Sequence, residues 1–145
     1  MIRRIDHINI SVSDLETTKR FFTDLLGFEV GQEGYLEGEW MDKTVGLKDV
    51  KARFTKLVIP GTETSIELIH YFNPLGSRDA ETGKANTIGF RHIAFEVENI
   101  EAVYDCLRKA GVKLFSDIQL YNEKKKLCYF YGPDDIILEL AQYSE

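Results

Sequence analysis

Two histidines and two glutamates stand in segments where apolar and polar residues alternate, as they do along half-buried β-strands. These residues, the four candidate ligands, are His7, Glu67, His92 and Glu139. Because successive side chains of a strand point to opposite faces of a sheet, each of the four lies on the face opposite its apolar neighbours. An ionised glutamate in an apolar strand is costly to bury unless a cation accompanies it. The pattern therefore indicates either a metal site or ion pairs.

Imidazole nitrogen and carboxylate oxygen, without thiolate, suit a divalent ion such as Zn, Ni, Co, Mn or Fe. If each sheet curls into a half-barrel with its helix outside, the four candidate ligands lie on concave surfaces that can face one another, and waters can complete the coordination. The alternative is salt bridges to the two glutamates from a histidine, Arg53 or Arg91. His70 has the opposite strand parity to Glu67, so we do not expect it to be a ligand.

An internal repeat places the four candidate ligands at equivalent positions of two halves. The segment Asp6–Val12 has its counterpart in Arg91–Val97, and the same spacing aligns the residues that follow. Each half reads as a strand, a helix and three further strands. The sequence thus predicts an α+β fold of paired βαβββ modules, which form a cupped, partly closed mixed sheet with the helices outside. We expect one domain over residues 1–145, with modules at about 3–72 and 90–143 and a linker at about 73–89.

Terminal signals delimit the two helices. The first is predicted at Leu15–Leu26, with a capping box from Ser13 to Glu16 before it and Gly27 after it. The second is predicted at about Ile100–Ala110, with Asn99 as its N-cap.

Alternation and turn residues predict the remaining strands. The predicted strands are Phe28–Gln32, Phe54–Ile59, Ser65–Ile69, Lys113–Phe115, Leu127–Tyr131 and Ile136–Leu140. The segment Gly31–Lys51, which contains Trp40, is expected to be an irregular excursion of the first module.

Composition narrows the function classes. A net charge of −6 opposes nonspecific binding to nucleic acid or to an anionic membrane. No apolar run approaches the roughly 20 residues that span a bilayer, and no secretory signal begins the sequence, so we expect a cytoplasmic protein. Cys106 and Cys128 are expected to be free, buried and inert. The run Lys124–Lys126 is expected to be a solvated hairpin tip.

Several motifs together resemble the vicinal oxygen chelate superfamily, also called the glyoxalase, bleomycin-resistance and dioxygenase group. The motifs are His7-Ile8-Asn9-Ile10-Ser11-Val12, Leu25-Leu26-Gly27-Phe28, Ile66-Glu67-Leu68, Gly89-Phe90-Arg91-His92-Ile93-Ala94-Phe95-Glu96-Val97 and Ile137-Leu138-Glu139-Leu140. The chain is similar both to lactoylglutathione lyases and to methylmalonyl-CoA epimerases of that group. The resemblance implies paired βαβββ modules and a metal ion held at the strand positions of the four candidate ligands.

In enzymes that this chain resembles, a metal ion stabilises the enolate or enediolate that forms when a proton leaves the carbon beside a carbonyl. The resemblance implies a metal-dependent lyase or isomerase of the glyoxalase type, acting on a small molecule with metal-chelating oxygens. Glu139 is then the first choice for the catalytic base, and Glu67 serves the opposite face of the substrate. Proton return to a neighbouring carbon gives a lyase reaction, whereas return to the other face of the same carbon gives an epimerase.

Alternatives remain open at this point. They are a methylmalonyl-CoA-type epimerase, a fosfomycin-type thiol transferase or hydrolase, a ring-cleaving dioxygenase and a metal-free drug-binding protein. A fourth protein ligand argues against a dioxygenase, which needs open positions for oxygen and substrate. The site can form within one chain or across a homodimer, and we expect a homodimer.

Overall fold

The first strand of the chain, β1, begins a four-stranded mixed sheet in which strand order is β1-β4-β3-β2. Its strands are β1 (His7–Ser11), β2 (Glu29–Glu37), β3 (Lys51–Val58) and β4 (Ser65–Asn73). β1 runs parallel to β4, and the other two pairings are antiparallel. The computed structural model describes residues 1–144, and this sheet belongs to a first compact unit, Met1–Ser77.

Helix α1 (Leu15–Arg20) follows β1 and continues as a π-helical turn over Phe21–Leu25. Gly27 ends this segment in the left-handed region at a φ of 75°. The extent of the predicted helix is therefore confirmed. The predicted capping box is wrong, because the N-cap is Asp14, whose carboxylate accepts a hydrogen bond from the Thr17 backbone N–H at 2.9 Å.

α1 packs on one face of its sheet. It contacts β3 and β4, and Leu15 of α1 and Phe22 of the following π-helical turn are buried together with Leu57 and Leu68 of those strands. Burial of each such side chain contributes roughly 1.5–3 kcal/mol relative to exposure. The register places Leu68 opposite Thr55 and Glu67 opposite Lys56, so Glu67 lies on the sheet face away from α1.

The segment predicted as an irregular excursion is ordered. β2 continues to Glu37, and helix α2 (Glu39–Val45) follows it. α2 buries Met41 in a cluster with Ala52 and Ile69, which share a sheet face with Glu67. The expectation of irregular structure was wrong, and α2 covers part of the face that carries Glu67.

The second compact unit begins at Arg78 and repeats the arrangement, with strand order β5-β8-β7-β6. Its strands are β5 (His92–Glu96), β6 (Gln119–Tyr121), β7 (Lys125–Tyr131) and β8 (Ile137–Tyr143). β5 is parallel to β8, as β1 is to β4. The α+β class and the two βαβββ repeats are therefore confirmed.

Helix α3 (Ile100–Lys109) connects β5 to the rest of the second sheet. Its predicted cap is confirmed, because the Asn99 side chain accepts a hydrogen bond from the Ala102 backbone N–H at 3.0 Å. A strand over 113–115 was predicted wrongly. Only an isolated bridge joins Leu114 to Phe130 there, and the edge strand is β6.

Residues 74–91 connect β4 to β5 without a strand or an α-helix. Every helix within residues 1–144 is too short or too polar to span a membrane.

Candidate functional site

His7 begins β1 on the face away from α1. Its Nδ1 lies 2.8 Å from the Oδ2 of Asp6, and the hydrogen bond from His7 lowers the pKa of the Asp6 carboxyl. Since a carboxylate only accepts, the proton of the neutral ring is on Nδ1 and Nε2 keeps its lone pair. A carboxylate that fixes a histidine in this way is the usual support for a metal ligand. Sequence analysis did not single out Asp6, although it directly precedes His7.

Glu67 shares that face with His7, as strand parity predicted. In the parallel register of β1 and β4, Asn9 lies beside Glu67, and His7 lies beside Ser65. The Asn9 side-chain N–H donates to Glu67 Oε1 at 3.1 Å. Glu67 is half-buried. Burial of Tyr71 raises the pKa of its hydroxyl, and the charge of Glu67 raises it further. The first unit therefore holds its glutamate with a neutral donor.

His92 and Glu139 form a direct pair in the second unit. The His92 Nε2 lies 3.1 Å from Glu139 Oε2, and the Tyr129 hydroxyl lies 3.5 Å from the same Nε2. The register places Tyr129 opposite Glu139 on β7, so all three side chains share one sheet face. Glu139 is only 4% exposed. The structure thus brings these two candidate ligands into contact.

Lys125 provides a cation for Glu139. Its Nζ lies 2.9 Å from Glu139 Oε1, a distance typical of an ion pair, but this oxygen accepts no directed hydrogen bond. The contact with Glu139 raises the pKa of Lys125, so the ammonium remains charged at neutral pH. Sequence analysis placed Lys125 at a solvated hairpin tip, which was wrong because β7 begins at this residue.

The other residues weighed from the sequence lie elsewhere. The Arg91 guanidinium donates to the backbone carbonyls of Thr82 and Lys84, and the Arg53 guanidinium lies 5.3 Å from the centre of the Tyr35 ring. His70 has its Nδ1 2.9 Å from the Val12 carbonyl, on the face opposite Glu67. The salt-bridge alternative therefore has partners in the structure. His92 and Lys125 both contact Glu139, and Lys125 takes the place that was considered for an arginine.

The two cysteines differ from each other. Both are free, but Cys106 is exposed whereas Cys128 is buried, so the expectation that both are buried was wrong. Burial raises the pKa of the Cys128 thiol to about 11.

The donor types fit a divalent cation. A neutral His7 ring offers Nε2 as a ligand nitrogen, and Glu139 has a buried oxygen without a directed hydrogen bond. Within residues 1–144, no group of three or more His, Cys, Asp or Glu side chains lies close enough together to hold a metal ion. Each unit presents one histidine and one glutamate on the same face of its own sheet. That all four candidate ligands hold one ion stays a prediction.

Comparisons with known proteins agree with this architecture. Residues 4–140 match the family described as the Glyoxalase/Bleomycin resistance protein/Dioxygenase superfamily. An ethylmalonyl-CoA/methylmalonyl-CoA epimerase of Cereibacter sphaeroides is 34% identical over 117 residues, which cover 79% of this chain and 75% of the relative. The mitochondrial methylmalonyl-CoA epimerase of Mus musculus is 31% identical over 147 residues, which cover 96% of this chain and 72% of the relative. A crystal structure of a glyoxalase family protein from Bacillus cereus has a TM-score of 0.92 at 28% identity and covers 100% of this chain and 97% of that chain.

Proposed function

Because this chain belongs to the Glyoxalase/Bleomycin resistance protein/Dioxygenase superfamily, we propose that it is a metal-dependent isomerase that moves a proton at a carbon beside a carbonyl. The proposed reaction is epimerisation of an acyl-CoA thioester of the methylmalonyl type. The observation that carries the proposal is the pair of His92 and Glu139, in which a carboxylate that is 4% exposed lies 3.1 Å from an imidazole. The two epimerase relatives support the choice of substrate class.

Epimerisation needs a group that takes a proton from one face of a carbon and a group that returns a proton to the other face. The repeat supplies two glutamates at equivalent strand positions, Glu67 and Glu139. In this proposal Glu139 is the base that removes the proton, and Glu67 delivers a proton to the opposite face.

The cation belongs to the same proposal. His7, Glu67, His92 and Glu139 would hold one divalent ion, within one chain or across a homodimer. When bound, such an ion supplies positive charge that stabilises the oxygen of the enolate as the proton leaves. In the chain itself, Asp6 orients His7 through Nδ1, and Tyr129 of β7 contacts His92 of β5 across β8.

Metal content tests the ligand set. Protein purified without an affinity tag should contain one divalent ion for each set of four candidate ligands, and His92→Ala should lose it. His70→Gln is the matched control, because His70 lies on the other sheet face, and it should keep the ion. Equal retention of the ion by His92→Ala and by His70→Gln would remove His92 from the ligand set.

Isotope exchange tests the reaction. In deuterated water, the loaded protein should place deuterium on the carbon between the carbonyls of methylmalonyl-CoA faster than the uncatalysed exchange. Glu139→Gln should slow this by roughly 10²–10⁴-fold, the usual contribution of a positioned base. Conversion of the adduct of methylglyoxal and glutathione, without thioester exchange, would favour the lyase reaction instead. If the protein neither places deuterium on methylmalonyl-CoA nor converts the adduct of methylglyoxal and glutathione, the proposed reaction is contradicted.

A further inference from the structure

Lys125 holds the buried carboxylate of Glu139 in a way that the first unit does not reproduce. Lys125 Nζ lies 2.9 Å from Glu139 Oε1, and the lysine side chain is 23% exposed whereas that of Glu139 is 5% exposed. The Glu139 side chain is therefore almost closed to solvent, whereas the Lys125 side chain reaches it. The lysine is the partner that is able to leave.

The repeat provides an internal comparison. In the first unit Asn9 lies beside Glu67 and donates to it, but the residue in the same register beside Glu139 is Ala94, which has no donor. Lys125 forms an ion pair with Glu139, whereas Lys56, which lies opposite Glu67 on β3, forms none with Glu67 among the described residues, and Asn9 donates a neutral hydrogen bond to Glu67. The two glutamates are thus equivalent in position and different in electrostatics.

We propose that Lys125 is a resident counter-cation of Glu139, which stabilises the carboxylate in the cation-free protein and competes with a divalent cation for Oε1. This inference rests on the proposed function. Two cations cannot share one carboxylate oxygen at ion-pair distance without strong repulsion, so Lys125 leaves Oε1 when a divalent ion binds. Lys125 therefore lowers the affinity of the site for its metal.

The ring of Tyr143 also lies close to the Lys125 ammonium. Lys125 Nζ lies 5.6 Å from the centre of the Tyr143 ring, and Tyr143 is 55% exposed. A cation over an aromatic face retains a favourable interaction while it remains hydrated. Withdrawal of Lys125 from Glu139 thus leaves the ammonium between the ring and solvent.

The first experiment measures the affinity for Zn²⁺ by competition with a chelator. Lys125→Met should bind Zn²⁺ on the order of tenfold more tightly than the wild type, because the competing charge is gone. Lys126→Met is the matched control: Lys126 is the next residue of β7, points to the other face and pairs with Glu101, so its loss should leave the affinity unchanged. Lys125→Gln keeps a hydrogen-bond donor without the charge and should also bind more tightly.

The second experiment concerns the protein without metal. Lys125→Met should unfold at a lower urea concentration, because it leaves Glu139 buried without its main counter-charge, and Glu139→Gln should restore the midpoint in the double variant. Lys125→Gln serves if Lys125→Met does not fold. An equal midpoint in wild type and Lys125→Met would overturn the counter-cation role.

The two experiments separate this inference from the proposed function. If the wild type binds Zn²⁺ and both Lys125 variants bind it equally well or more weakly, the inference is overturned and the proposed metal site stands. If the wild type and all variants bind no divalent cation, both are overturned. Binding by the Lys125 variants but not by the wild type supports the inference.

Discussion

Replacement of Glu139 by leucine should leave the metal-free protein close to wild-type stability and abolish cation binding. Glu139 is 4% exposed, so a leucine in its place gains roughly 1.5–3 kcal/mol of apolar burial. The hydrogen-bonded charge contacts that are lost are worth about 1.5–3 kcal/mol each at most. The freed Lys125 and His92 side chains are 23% and 32% exposed and can be hydrated. Because the desolvation cost of the buried Glu139 carboxylate, several kcal/mol, is relieved at the same time, the free energy of unfolding should change by no more than about 2 kcal/mol.

Urea denaturation followed by far-UV circular dichroism measures this change. Trp40 fluorescence is a poor probe, because Trp40 is 59% exposed in the folded protein. Leu138→Ala is the matched control: it is the preceding residue of β8, faces the helix side and is 1% exposed. Its truncation should cost about 2–5 kcal/mol.

The opposite result would refute the reasoning. If Glu139 serves the fold, its removal breaks a buried ion pair and costs about 3–5 kcal/mol. A loss of that size in Glu139→Leu, comparable with Leu138→Ala, would mean that Glu139 is a structural residue whose whole role is its contact with Lys125 and His92.

Two further predictions concern the helix caps and the thiols. Asn99→Ala should cost about 1 kcal/mol at any pH, whereas the Asp14→Ala effect should depend on pH. The hydrogen bonds from Thr17 lower the pKa of Asp14 in the folded state, so its contribution is complete above the ordinary pKa of aspartate and is lost as the pH falls through the lowered value. Urea titrations at several pH values check this, and an Asp14→Ala effect that persists in strong acid would contradict it. An aromatic disulfide reagent should react with one thiol in the folded chain, Cys106, and with both after unfolding, because Cys128 is buried and its pKa is raised to about 11. Modification of both thiols in the native protein would contradict the burial of Cys128.

The repeat made the positions around the candidate site predictable from sequence. In the sequence, each candidate ligand is followed directly by an apolar residue, and this regularity assigns all four to the face away from α1 and α3. Burial alternates along β1, but β4 and β8 bury residues on both faces. The partners Asn9 and Tyr129 follow from the register between strands, which sequence parity alone does not specify.

The elements that sequence analysis missed lack that regularity. α2 has only seven residues, and its buried side chains offer less than two turns of helical periodicity. Lys125 was hidden in a run of three lysines that resembles a solvated turn. β7 begins inside this run, and strand parity sends Lys125 to the Glu139 face and Lys126 to Glu101. The side chains of a charge run at the start of a strand therefore lie on two different faces of the sheet.

The two glutamates occupy equivalent backbone positions but have different surroundings. In the first unit α2 packs on the face of Glu67, and Asn9 holds the carboxylate with a neutral donor. In the second unit, Glu139 is more deeply buried and is accompanied by His92 and Lys125. Withdrawal of Lys125 from Glu139 would leave a buried carboxylate without that ion pair, whereas the hydrogen bond from Asn9 to Glu67 does not depend on Lys125. This asymmetry supports the proposal that Glu139 is the base and that Glu67 serves the opposite face of the substrate.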